Sequence, residues 1–359
     1  MTTDTTLLLP LTLDDISVEW LSAFLSRGAP GTEVAKVTIR DRHDGTAARL
    51  ALEVDYVPGH DNGLPRHLFV KSLIADPIAP RSMYECEVNF FRTMRPRLTL
   101  ETPRIAGMEA NEAESHFCLV MEDVTARGAR MGHPARPYSA DEMASILDTE
   151  AELHATWWGS PEIDVLFPWL ETHLTGPNAD FFRTGCPAVM ESEYSASAYK
   201  KKYFDPDGFY TPERLWKSLW TLQEINEAQV PTVLHGDAHV GNSYAIPGGR
   251  GGLIDWQLMR KGCWAHDVTY SLCGMAAEDR RHHEKDLLRG YMAGMERRGV
   301  SVGDWDEVWL RHRQNAVWGA VMWMSTPTLL YDEERLSLMI ERHRVAMDDL
   351  ETVAALGCD

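Results

Sequence analysis

His235-Gly-Asp237-Ala-His239-Val-Gly-Asn242, followed after ten residues by Leu253-Ile-Asp255-Trp-Gln257, is the stretch that decides the reading of this chain. Asp237 precedes Asn242 by five positions, and Asp255 lies 13 beyond Asn242. The interval predicts a short strand over Ser243 to Ile246, a turn over Pro247 to Gly252 and a return strand at Leu253 and Ile254. Such a hairpin would carry Asn242 and Asp255 to one mouth, close to Asp237. The glycines at 236 and 241 would let the loop turn tightly.

The residue types fit one chemistry. The Asp-x-x-x-x-Asn interval is that of the catalytic loop in phosphoryl-transfer enzymes. Such transfer needs the nucleotide's charge neutralised and the acceptor hydroxyl held in line. Asp255 and Asn242 would supply hard oxygen donors to Mg²⁺, an ion that keeps much of its water and takes further ligands from phosphates. Asp237 would accept the attacking hydroxyl's hydrogen bond and then its proton.

The two-part pattern resembles the signature of the aminoglycoside phosphotransferase superfamily, to which choline-kinase-like enzymes also belong: H-G-D-x-H-x-x-N and then, after a hairpin, I-D-[FW]-[EQ]. Asp-Trp-Gln257 and the following Gly262-Cys-Trp-Ala-His-Asp267 are most similar to the ecdysteroid-kinase-like branch. The resemblance runs from about residue 33 to 275 and more faintly beyond. It implies a bilobal, protein-kinase-like α+β fold. A small N-terminal lobe over residues 1–124 would carry an antiparallel sheet, and residues 125–359 would form a large, mainly helical lobe. The implied activity is ATP- and Mg²⁺-dependent phosphorylation of a small-molecule hydroxyl. It also implies a structural His154 and an Asp267 that braces the loop or caps the next helix.

A kinase-like site needs a strand lysine and a helix glutamate to fix it. Arg66-His-Leu-Phe-Val-Lys71 reads as an apolar strand ending in that lysine, and Ser82 to Arg95 reads as a helix stopped by Pro96. Glu85 shares a helix face with Asn89 and Arg92, whereas Glu87 shares one with Phe91 and Met94. Glu87 is therefore the expected partner of Lys71. The family's E-x-x-F-[YF] pattern, met at Glu87-Val-Asn-Phe90-Phe91, implies the same choice. Between strands Val34 to Arg40 and Arg49 to Tyr56, the turn Asp41-Arg-His-Asp-Gly45-Thr46 has one glycine. Backbone N–H groups of Gly45 and Thr46 would cradle phosphate oxygens. Phe117-Cys-Leu-Val-Met121-Glu122-Asp123-Val124 reads as a buried strand. By resemblance it is the hinge, with backbone groups from Glu122 to Val124 meeting the adenine edge. A hinge reads its nucleotide through backbone atoms, so the sequence leaves GTP open beside ATP.

Composition narrows the partners. At 359 residues, 44% hydrophobic and 25% charged, the chain has ample material for a globular core. The net charge of −19 opposes nucleic acid, whose phosphates it would repel, and favours a cationic acceptor such as an amino sugar. No run of about 20 apolar residues suggests a membrane span, and the first ten residues lack the basic start of a leader. Six cysteines without metal-type pairing fit reduced thiols and a cytoplasmic location. No feature calls for a protein partner.

A first helix is expected over Leu13 to Ser26, capped by Thr12 and Asp15. Strands follow to about residue 74. Helices are expected over Ser139 to Trp158, Pro212 to Ala228, His283 to Gly294, Trp305 to Met324 and Asp332 to Ala355, with an aromatic-rich insertion over about 160–210. By resemblance that insertion and the C-terminal helices form the acceptor pocket. Eleven of the twelve tryptophans fall in the larger part. They serve helix packing and would also suit an apolar, ring-bearing alcohol. Two rival readings remain. His235, Asp237 and His239 alternate and, with Asp255, would suit a transition-metal hydrolase. A non-catalytic nucleotide-binding module is the other, although such modules usually lack the base, the metal ligand or the lysine.

Overall fold

The computed structural model describes residues 8–74, 80–111, 116–203, 205, 209–328 and 330–358, without the side chain of Asp44. The leader reading of Met1 to Leu7 lies outside them. The chain is α+β and divides into two compact units: Met1–Arg97 with Thr102–Ala129, and Leu98–Glu101 with Arg130–Asp359.

The smaller unit starts with α1 (Val18–Gly28), whose Ser17 hydroxyl accepts from Trp20 N at 3.1 Å. The Thr12–Asp15 capping box exists, but it closes a separate 3₁₀ turn at Leu13–Asp15 instead of starting this helix. Strands β1 (Val34–Asp44), β2 (Ala48–Tyr56), β3 (His67–Ser72), β4 (Ile105–Asn111) and β5 (His116–Glu122) form one antiparallel sheet in the order β1-β2-β3-β5-β4. On β2, Ala48, Leu50, Leu52 and Val54 are buried in alternation, the period-two mark of a half-covered strand. These side chains join Leu21, Phe24 and Leu25 of α1 in the core. The β1–β2 ribbon runs further than the sequence suggested, because the polar stretch Asp41 to Asp44 still pairs with Ala48 to Ala51. Helix α2 (Arg81–Asn89) likewise ends sooner than expected. It widens at Phe90–Met94 into a turn closed by Arg95 N to Phe90 O.

The larger unit contains β6 (Arg130–Met131), α3 (Ala140–Thr156), α4 (Ile163–Leu166), α5 (Pro177–Ala196), α6 (Ala198–Lys201) and α7 (Pro212–Glu227). Strands β7 (Thr232–Leu234), β8 (Ser243–Ala245), β9 (Gly251–Leu253) and β10 (Arg260–Gly262) follow. The chain then continues through α8 (Ala265–Cys273), α9 (Ala277–Arg297), α10 (Trp305–Ser325), α11 (Glu333–Asp349) and α12 (Thr352–Leu356). The expected helices appear within a few residues, except that the last divides at Leu350 and α9 begins six residues earlier. The insertion is itself helical: Pro177 occupies the first turn of α5, where a missing N–H does no harm, and buried Lys200 donates to the Met324 carbonyl at 3.2 Å. Among the described residues, no helix is long and apolar enough to cross a membrane, and all six cysteines are free thiols.

Helix α3 is the bed for the short strands that matter most. Gly251 N donates to Ser145 Oγ at 2.7 Å, and Thr149 Oγ1 donates to Gly251 O at 2.7 Å. Between them, Ile146 lies so close to Gly251 that a Cβ there would sit 2.6 Å from Ile146 N. Buried Ile146 is thus a floor for β9. Ile146→Ala should lower unfolding free energy by about 2–5 kcal/mol, read from urea denaturation. A loss below about 1 kcal/mol would show that β9 does not depend on this support.

Candidate active site

The loop between β7 and β8 is assembled by backbone hydrogen bonds that follow from its sequence. His239 N donates to Asp237 O at 2.8 Å and Asn242 N to His239 O at 2.8 Å, which closes two tight turns in succession. Gly236 adopts φ +82°, and a Cβ there would meet the Leu258 carbonyl at 1.9 Å, so only glycine fits. Gly241 has no such dihedral. Its glycine answers close approach instead: a Cβ would lie 2.8 Å from the His239 ring and 2.4 Å from Arg335 Nη2.

The hairpin exists and brings Asn242 and Asp255 together. Ser243 pairs with Leu253 and Ala245 with Gly251. One step further, Ile254 N donates to Asn242 O at 2.9 Å, which sets Asp255 beside Asn242. Asn242 Nδ2 donates to the Asp237 carboxylate at 2.9 Å and to its backbone oxygen at 3.0 Å. With the amide nitrogen committed to Asp237, the oxygen Oδ1 is the Asn242 atom that can take a cation. Asp255 sits at φ +66°, ψ 69°, a left-handed conformation that costs a non-glycine residue free energy and recurs where function demands it. Asp237 keeps 26% of its side chain exposed. Its pKa is raised well above the ordinary carboxylate value, first by burial and then by the charge of Asp255. The Asn242 oxygen and the Asp255 carboxylate are hard oxygen donors of the kind that suits Mg²⁺.

The histidines support this loop instead of reacting. His235 Nδ1 accepts from Asp237 N at 3.3 Å, Nε2 donates to Ile254 O at 2.9 Å, and the ring lies 4.6 Å from Trp256. His239 Nδ1 accepts from Gly241 N at 2.9 Å, and burial with nearby Arg335 pushes its pKa down to about 3. Their ring nitrogens are therefore largely spent on backbone, as a transition-metal site would not allow. Among the described residues no three His, Cys, Asp or Glu side chains gather as metal ligands.

Asp267 holds the loop from below. It lies inside α8, so it braces and does not cap. Its Oδ2 accepts from His235 N at 2.7 Å and from His154 Nε2 at 3.1 Å, while Oδ1 accepts from Gly236 N at 2.9 Å. His154 Nδ1 in turn meets Tyr291 OH at 2.8 Å. Burial opposes ionisation of Asp267, yet the His154 hydrogen bond and the neighbouring imidazoles outweigh it and hold the pKa at about 2. Arg260 is a residue that the sequence reading passed over. It pairs across strands with Leu234, donates Nε to Leu258 O at 3.0 Å, and lies beside Gly236.

In the smaller unit, Lys71 Nζ stands 2.6 Å from Glu87 Oε2, with both side chains almost fully buried. Glu85 instead pairs with Arg81 on the outer face, as periodicity required. Gly45 N–H closes its own turn onto Ala47 O at 3.2 Å, and Thr46 lies in the same bend. Glu122 N donates to Arg104 O at 2.9 Å, and its buried carboxylate takes Arg104 at 2.9 Å and Arg127 at 3.2 Å. Val124 opens a 3₁₀ turn capped by Asp123.

A family model described as "Phosphotransferase enzyme family" matches residues 66–301, well over half of the chain and all of this loop. The chain belongs to that family. No curated protein matches it significantly in sequence. Among solved structures, an aminoglycoside phosphotransferase candidate from Ralstonia eutropha JMP134 is 14% identical, with TM-score 0.53 over 94% of this chain and 98% of that one. Spectinomycin phosphotransferase APH(9)-Ia, solved with ADP and spectinomycin, is 11% identical with TM-score 0.52, covering 94% and 99%. Choline kinase LicA from Streptococcus pneumoniae is 11% identical with TM-score 0.50, covering 93% and 98%. At such identities the likeness is one of fold.

Asp267 provides a pH test. Its depressed pKa gives stability that is fully present above the unfolded value near 3.8 and is lost as pH falls through about 2. Wild type should therefore lose about 2 kcal/mol over that window, a component missing from Asp267→Asn. Parallel acid-denaturation curves for the two proteins would refute the assignment.

Proposed function

We propose that the protein is an ATP- and Mg²⁺-dependent phosphotransferase acting on a hydroxyl of a small molecule. The observation that carries this reading is the Asp237–Asn242–Asp255 arrangement, with Asn242 Nδ2 turned to Asp237 and Asp255 held beside it by Ile254 N to Asn242 O. In this reading Asp237 accepts the hydrogen bond of the acceptor hydroxyl and takes its proton. Asn242 Oδ1 and the Asp255 carboxylate would hold Mg²⁺. The ion neutralises charge on the phosphates and on the transferring group. Its charge would also relieve the repulsion between Asp255 and Asp237 and so lower the affinity of Asp237 for a proton before the acceptor arrives. Lys71, fixed by Glu87, would bind α- and β-phosphate oxygens. The backbone from Glu122 to Val124 would meet the base of ATP or GTP, and the turn at Gly45 and Thr46 would cover phosphates.

The acceptor would be a ring-bearing alcohol or an amino sugar. Trp323 of α10 lies 5.1 Å from His239, and Trp318 of the same helix lies 4.5 Å from His266 and 5.1 Å from His173. Both rings are buried, and Arg260 Cζ lies 5.9 Å from the Trp318 ring, so these tryptophans pack against the supports of the loop and do not choose between the two acceptors.

Asp237→Ala should cut phosphate transfer by at least about 10²-fold while nucleotide affinity changes little; near-native turnover would remove it as the base. Asp255→Ala should weaken Mg²⁺-dependent nucleotide binding, measured by calorimetry with and without the ion, and equal affinities would exclude it from the metal site. A screen of hydroxyl compounds for ATP consumption, with mass detection of a product heavier by one phosphoryl group, would identify the acceptor. If no hydroxyl compound gained that mass, the reaction itself would be refuted.

A further inference from the structure

Beneath the loop lies a carboxyl group that no step of the proposed reaction uses. Glu150 of α3 has no exposed surface. Its Oε1 lies 2.5 Å from Ser271 Oγ of α8, and the same Oγ lies 2.8 Å from Ala238 O, the carbonyl between Asp237 and His239. Ser271 has one hydroxyl hydrogen for two oxygen neighbours, and a backbone carbonyl can only accept. If that hydrogen went to an ionised Glu150, the 2.8 Å contact with Ala238 O would be two oxygens with nothing between them. If Glu150 brings a proton, both contacts are hydrogen bonds: Glu150 donates to Ser271, and Ser271 donates to Ala238.

The surroundings agree with that count. Glu150 Oε2 is buried with no hydrogen-bond partner, which is tolerable for the carbonyl oxygen of a neutral acid and costly for half of a carboxylate. Facing it are Asp267 of α8 and Tyr291 of α9, with His154 one turn along its own helix; among the described residues no lysine or arginine charge is a cause of its shift. Burial and then the charge of Asp267 push its pKa well above the ordinary value. The two acids thus divide their roles. Asp267, with three donors, keeps the charge, and Glu150, with none, keeps the proton.

We propose that Glu150 is a positioning residue that carries its proton at neutral pH, and that the relay from Glu150 through Ser271 to Ala238 fixes the carbonyl between Asp237 and His239. The relay's bearing on catalysis rests on the phosphotransferase reading; the proton does not. Above neutrality the relay ends when Glu150 ionises. Ser271 then turns its hydrogen to the new carboxylate, and Ala238 O loses its donor.

Infrared difference spectra of the full-length protein, wild type minus Glu150→Gln, should show at pH 7 the carbonyl stretch of a protonated carboxylic acid. Ser271→Ala should move that band to higher frequency by removing its hydrogen-bond acceptor. In turnover, Glu150→Ala should lose roughly tenfold or more in kcat with little change in nucleotide KM. Glu150→Gln, which still donates to Ser271, should restore most of that and abolish the alkaline decline attributed to ionisation. Absence of the band at neutral pH, or Glu150→Gln failing as fully as Glu150→Ala with its fold intact, would overturn the proposal. Should Glu150→Gln not fold, the Ser271→Ala band decides: no shift refutes the relay. The band needs no turnover, so a protein that shows it yet transfers no phosphate refutes the kinase reading and upholds the proton.

Discussion

One buried carboxylate anchors the loop on which the proposed chemistry rests. Asp267 gathers two backbone N–H groups from the turn at His235 and Gly236, and His154 from α3 supplies a third donor. A buried charge is tolerated only when its lone pairs are filled, so these donors are held to Asp267 as firmly as Asp267 is held to them. The loop has little regular secondary structure and could not otherwise keep Asp237 at a fixed height. Helices α3 and α8 are thereby tied to the loop of Asp237 through hydrogen bonds, and their apolar packing becomes part of its positioning.

The same unit sets a second pair of acids against each other in a different way. Asp237 and Asp255 face a common mouth, and the charge of Asp255 makes ionisation of Asp237 harder. Asp255 also sits in the left-handed region, an arrangement that free energy alone would not select. Both costs make sense if a divalent cation occupies the mouth during function, because it would stabilise the two charges and use the Asn242 oxygen that the Asp237 hydrogen bond turns away from the base. Under the proposed function, strain and repulsion would both be relieved by the ion that the donor chemistry suits.

Much of this was legible in the sequence because it is encoded by spacing. The thirteen residues from Asn242 to Asp255 hold little more than a hairpin, and a two-residue offset on α2 sorted Glu87 inward and Glu85 outward. Other parts were hidden for physical reasons. The helix expected after the Gly262 turn is α8, but it already starts at Ala265 and takes Asp267 inside it; all nine of its residues are buried, so no polar face marks where it begins. The helix α5 contains Pro187 and Gly185, which read as breakers, yet it forms because tertiary packing outweighs their propensity. Ser145, Thr149 and Glu150 look like solvent-facing positions of α3. They serve instead as partners for β9 and α8, and only the pairing reveals why polar residues occupy that face.

Helix α10 supports the loop from another side. Its Trp318 packs on His266, whose Nε2 reaches Gly236 O at 3.1 Å, and its Trp323 packs on His239, whose ring closes the turn at Gly241. Both rings are buried, so substitution at either tryptophan would disturb the backbone on each side of Asp237. Phe182 of α5 packs in turn on Trp318, whereas Phe181 packs on Phe182 and keeps 39% of its surface exposed. Under the proposed function, a change at Phe181 would alter the insertion while leaving the supports of the loop in place.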